Sequence, residues 1–84
     1  MESQYNTLQT IYNITHEDPQ PTTYQCKPRE IILRQLQDWN IIQRDIQLLE
    51  SEGLIVTMQK ETLIINITTF GIEKINSANF TYQD

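Results

Sequence analysis

Apolar residues recur at helical spacing in four stretches of the chain and crowd into β-rich runs in two more. Tyr5, Leu8, Ile11 and Tyr12 share one side of a predicted helix over 4–14. Residues 15–27 are irregular, and Pro19 and Pro21 break any helix there, although 22–25 can supply a short strand. Pro28 then opens a helix over 28–37, with Ile32, Leu33 and Leu36 as its expected apolar face. Proline suits a first helical position because its missing N–H would have no partner there. Ile42, Ile46 and Leu49 stand at i, i+4 and i+7 and predict a third helix over 40–52. Asn40 with Gln43 fits a capping box at its start, Asp38 is a rival cap, and Gly53 suits the left-handed residue that closes a helix. Residues 54–59 and 63–68 are the β-rich runs, joined by Lys60-Glu61-Thr62 in a hairpin over 54–68. Thr68 or Thr69 caps a last helix over 69–78, with Phe70, Ile72 and Ile75 as its buried side, and 79–84 reads as a polar tail.

Length makes this one domain, since 84 residues suffice for a single core. A domain of this size hides only about 60–65% of the surface its unfolded chain exposes, so the core must be efficient or share apolar surface with a partner. Six basic and eleven acidic residues leave a net charge of -5, which argues against binding a polyanion through bulk charge. Cys26 is the only cysteine, so no internal disulfide exists and an extracellular stapled scaffold is not expected. The first residues lack the basic and apolar regions of a signal peptide, and no window approaches the length of a membrane span. The expectation is a cytoplasmic protein with no membrane partner.

Catalytic chemistry has little to work with. His16, the one histidine, lies in the proline-flanked segment beside Glu17 and Asp18, with Cys26 ten residues on. A Cys–His nucleophile pair would require the two to meet in space, and His16, Glu17, Asp18 and Cys26 have no recognised metal-ligand spacing. Cys26 reads instead as a small, half-buried hydrophobe. The two glycines, Gly53 and Gly71, are read as helix ends and form no phosphate loop. No catalytic residue, metal or cofactor is expected.

Two blocks carry more specific information. The first runs Ile42-x-x-x-Ile46-x-x-Leu49-Glu50-Ser51-Glu52-Gly53-Leu54-Ile55, and the second Ile67-Thr68-Thr69-Phe70-Gly71-Ile72-Glu73-Lys74-Ile75. In this order and spacing they resemble a winged helix-turn-helix domain, which often has a helix ending L-E-x-x-G-L-I, then a wing, then an L-T-x-x-G-like start to the last helix. The resemblance covers 28–76 and reaches the first helix by position. This chain departs from the pattern in its long loop between the first two helices. It also has Trp39 where a small apolar residue is usual.

The resemblance implies a mainly helical α+β fold: a three-helix helix-turn-helix core, a two-stranded β-hairpin wing with a third short strand available, and a C-terminal helix. It also implies a small DNA-binding transcriptional regulator that reads the major groove with the 40–52 helix. Asn40, Gln43, Arg44 and Gln47 would face base edges, because Arg pairs with guanine and Asn or Gln with adenine. Arg29, Arg34 and Lys60 would reach the backbone. The ordinary alternative for each is a solvated surface side chain. The acidity lies mostly at the two ends, since residues 27–60 hold five basic and five acidic side chains. Few cations favour weak binding by one copy, hence a homodimer. Its seam, or a protein-partner surface, would involve Tyr5, Leu8, Tyr12, Trp39, Ile75 and Phe80; the alternative is that these complete the core. A protein-interaction module that binds no DNA is the second functional reading.

Overall fold

Secondary structure follows the predicted order. In the computed structural model, which describes the backbone of residues 3–82 and the side chains of 4–77, α1 spans Ser3–Thr15, α2 Pro28–Gln35 and α3 Trp39–Ser51. The hairpin strands β1 (Ile55–Gln59) and β2 (Leu63–Ile67) follow, then α4 (Thr69–Tyr82). The chain is a mainly helical α+β domain with a two-stranded antiparallel sheet. Within it, Ile55 faces Ile67 and Gln59 faces Leu63.

The proline-rich segment differs from expectation. Pro21–Thr23 forms a single 3-10 turn, and the strand-like pairing falls later, at Cys26. Cys26 exchanges both backbone hydrogen bonds with Ile65, at 2.9 and 2.8 Å, on the side of β2 away from β1. Asn66 fixes the preceding loop by donating from its side-chain amide to the carbonyls of Thr22 and Tyr24, at 3.2 and 3.1 Å.

Helix α2 is shorter than 28–37 and turns a different face inward. Ile31 is buried and Ile32 half-buried, whereas Leu33 and Leu36 are 68% and 84% exposed. Both α1 and β2 pack against this short helix, and their position selects the Ile31 side. Leu36 closes α2 in the left-handed region, with φ 57°. At the other end Glu30 accepts the Lys27 N–H at 3.0 Å.

Asp38, the rival cap, takes the N-cap position of α3, and the Asn40–Gln43 capping box does not form. Ile42, Ile46 and Leu49 are buried as predicted, and so is Asp45. Gly53 follows the helix at φ 75°, the left-handed conformation that glycine adopts without penalty.

Two corrections concern α4. It continues beyond 78, so the backbone is helical where a tail was expected. Phe70 is 69% exposed, whereas Gly71 and Ile75, four residues apart on one face, turn inward. Gly71 is therefore more than a helix-end residue. A Cβ placed there would overlap the Leu54 carbonyl oxygen and lie 2.8 Å from Cγ1 of Ile67. Thr68 fastens the same junction. Its hydroxyl donates to the Gly53 carbonyl at 2.7 Å and accepts the Gly71 N–H at 3.0 Å, while its N–H reaches the Leu54 carbonyl at 3.1 Å. The two sequence blocks are thus the two halves of one clasp.

The core is built mainly from Leu8 and Ile11 of α1, Ile31 of α2, Ile42, Ile46 and Leu49 of α3, Ile55, Ile65 and Ile67 of the sheet, and Ile75 of α4. Among the described residues no helix is long and apolar enough to cross a membrane.

Candidate nucleic-acid interface

The buried stripe of α3 fixes what its opposite side displays. With Ile42, Asp45, Ile46 and Leu49 inward, the 3.6-residue period turns Asn40, Arg44, Gln47 and Ser51 outward in one row. Gln43 flanks that row. All five are exposed, and the side chains of Asn40, Gln43, Arg44 and Gln47 make no hydrogen bond to other described residues. Their donors and acceptors are therefore available to a ligand. Ser51 was missed in the sequence reading and its hydroxyl is turned back to the Leu48 carbonyl at 2.6 Å.

The acidic residues of this part of the molecule are mostly engaged elsewhere. Asp45 is fully buried and accepts the Thr7 hydroxyl at 2.8 Å. Glu52 accepts the Tyr5 hydroxyl at 2.9 Å and the Gln4 amide at 3.3 Å. Glu50 accepts from the hydroxyl and the N–H of Thr57, at 2.8 and 3.4 Å. Because Ile65 points its backbone groups at Cys26, the Thr57 N–H faces away from β2, as alternation in an antiparallel ladder requires. Glu50 thus covers part of an open sheet edge. Glu30 accepts the Tyr24 hydroxyl at 2.7 Å. Four of the five carboxylates between Lys27 and Lys60 are bound to other parts of the fold, and Asp38 alone stays exposed without such a bond.

The predicted backbone cations divide into two places. The Cys26–Ile65 pairing runs the start of α2 alongside the hairpin tip. A groove of about 400 Å³ lies there, lined by Lys27, Pro28, Arg29 and Thr62. It adjoins one of about 430 Å³ that includes Lys27, Lys60 and Glu61. Arg29 and Lys60 are thereby brought to one region, joined by Lys27, which sequence reading did not select. The signal was the pairing itself: with Cys26 held against Ile65, the residues that follow it into α2 lie beside the hairpin end, where Arg29 and Thr62 line one groove. Arg34 is exposed but lies elsewhere, about 140° from Arg29 around the helix axis. It is near Cys26, where it opposes the effects of burial and of Glu30 that push the thiol up to about 12.

The expected partner seam is largely occupied within the chain. Leu8 and Ile75 are core residues and offer no surface. Trp39 is half-buried and packs against the core. Tyr12 stacks on His16 with ring centroids 5.2 Å apart, and the ring of Tyr5 lies 4.8 Å below the Lys74 ammonium. Phe80 lies outside the described side chains. His16 donates from Nδ1 to the carbonyls of Tyr12 and Asn13, at 3.2 and 3.0 Å. It is exposed at the end of α1, whereas Cys26 is fully buried.

No family model, curated protein or solved structure matches this chain.

Proposed function

We propose that this chain is a winged helix domain that binds double-stranded DNA and regulates transcription. In this reading α3 enters the major groove and the β1–β2 hairpin is the wing. The order of helices and strands, the pairing of Cys26 beside β2, and the Thr68–Gly53 clasp support the fold assignment. One observation carries the function: α3 displays Asn40, Gln43, Arg44 and Gln47 uncommitted, while the neighbouring carboxylates are bound inward. Such side chains match base edges. Lys27, Arg29 and Lys60 supply backbone contacts from the two adjoining grooves beside the hairpin tip. Arg34 is set aside because it lies on another flank of α2. The few cations make a homodimer the effective binding form.

Titration of random-sequence duplex DNA tests this reading. With Lys27, Arg29 and Lys60 of one copy each on a phosphate, affinity should fall about 40-fold between about 50 and 200 mM salt, and more steeply for the homodimer. Arg44→Ala should weaken binding to a selected duplex by about 1–3 kcal/mol. An absence of binding at low salt, where non-specific contacts are strongest, sinks the proposal.

A protein-interaction module is the second reading. Leu33 and Leu36, three residues apart at the end of α2 and both largely exposed, favour it, because adjoining apolar side chains left open suit a partner surface. It predicts no salt-dependent affinity for DNA.

A further inference from the structure

The outward row of α3 is unusually rich in carboxamides for so small a set of polar groups. Asn40 begins it, Gln47 precedes Ser51 at its far end, Gln43 flanks it, and Arg44 is its one cation. A carboxamide offers a donor and an acceptor side by side. In the major groove, adenine presents the complementary pair, its N7 acceptor and N6 amino donor. Guanine presents two acceptors, which suit the twin donors of an arginine and not an amide. Asn40 and Gln47 are seven residues apart, about 10 Å along the helix axis, and that distance corresponds to a rise of about three base pairs.

We infer that α3 selects A·T-rich duplex DNA through the major groove, with Asn40, Gln43 and Gln47 on adenines and Arg44 on a single guanine within about three to four base pairs. This rests on the DNA-binding reading above and goes beyond it by naming the sequence class. The physical setting favours it. None of the three amides is held by another described side chain, so none must break a bond to meet a base. The nearby carboxylates that would pair with a cytosine amino group are turned elsewhere: Asp45 to Thr7 and Glu50 to Thr57. The surface that meets bases thus contains adenine-type partners, one guanine-type partner and no free acid except Asp38 at the helix start.

The test compares three short duplexes of equal length at low salt: A·T only, G·C only, and inosine·cytosine only. Inosine·cytosine shows the major-groove groups of G·C but lacks the guanine amino group in the minor groove, so there it resembles A·T. Major-groove selection by amides predicts binding to A·T at least about 10-fold tighter than to G·C, with inosine·cytosine binding like G·C. Asn40→Ala and Gln47→Ala should each reduce the ratio of A·T to G·C affinity. Inosine·cytosine binding as tightly as A·T would overturn the inference, because the preference would then come from minor-groove access or duplex shape. Equal binding to all three overturns it too, while the DNA-binding reading survives. Failure to bind any of them removes both.

Discussion

Gly71 and Leu36 show how much a single position can depend on its surroundings. At Gly71 the start of α4 lies directly on the Leu54 carbonyl, which is backbone and cannot swing aside. Gly71→Ala should therefore destabilise the domain by about 1–3 kcal/mol, the usual cost of overpacking. Thermal unfolding would show this as a drop of about 4–8 °C for each kcal/mol in a domain of this size. Leu36 presents the opposite case. Its φ of 57° is a conformation that costs a residue with a Cβ about 1–2 kcal/mol. Its side chain is almost wholly exposed, so truncation removes little packing. Leu36→Gly should raise the urea midpoint, with a net gain of up to about 1 kcal/mol after the extra entropy of glycine in the unfolded chain is subtracted. A loss of stability there would show that the leucine side chain packs in solution.

Among the elements, the junction of α3, β1 and α4 holds the hairpin in place. The Thr68 hydroxyl both donates to the carbonyl of Gly53 and caps the first turn of α4. Thr68→Ala removes both bonds and should cost about 1–2 kcal/mol, somewhat more than the typical lost cap. Hydrogen exchange would locate the effect: the amides of Gly71 and Ile72 should lose protection before those of α1. Uniform loss across the domain would mean that the junction does not open separately. Helices α1 and α3 are tied by different chemistry, through Thr7–Asp45 and through Tyr5 and Gln4 on Glu52. These bonds are directional, whereas apolar packing alone tolerates rotation. They fix which side of α3 faces solvent and thus which side chains any ligand meets.

At the scale of the molecule, two acidic groups make stability depend on alkaline pH. Burial first, then Glu30, raises the Cys26 thiol from 9.0 to about 12. The hydrogen bond to Glu30 first, then burial and the charge of Glu30, raises the Tyr24 hydroxyl from 10.0 to about 12. The unfolded chain therefore releases these protons at a lower pH than the folded one. Their contribution is complete below about pH 9 and falls as pH rises toward about 12. Urea midpoints should decline from about pH 8 to about pH 10, and the decline should be shallower in Cys26→Ala, which lacks one of the two groups. Midpoints that stay flat across that interval would show that the folded thiol ionises in its ordinary range. Cys26 should also resist alkylation until the chain unfolds, because its thiolate is disfavoured in the core.

The order of elements and most of the core were legible in the chain. Helical periodicity placed Leu8, Ile11, Ile42, Ile46 and Leu49 inward, and the change to β-rich runs placed the hairpin, because each signal depends only on neighbours a few residues away. The face of α3 that displays Asn40, Gln43, Arg44 and Gln47 was legible for the same reason: once one stripe of a helix is buried, the opposite stripe is determined. Tertiary structure decided the rest. In α2, an eight-residue helix with apolar residues on more than one side, the choice of Ile31 over Leu33 and Leu36 came from the elements packed against it. Asp45 is charged by type and reads as solvated, yet Thr7, thirty-eight positions away, supplies a buried partner. Gly71 resembled a helix end until the Leu54 carbonyl was found against it. Lys27, Arg29 and Lys60 line two adjoining grooves because Cys26 pairs with Ile65. Periodicity along the chain determines which side of an element is apolar; only the partners that fold onto it determine which side is covered, and which charges are left facing out.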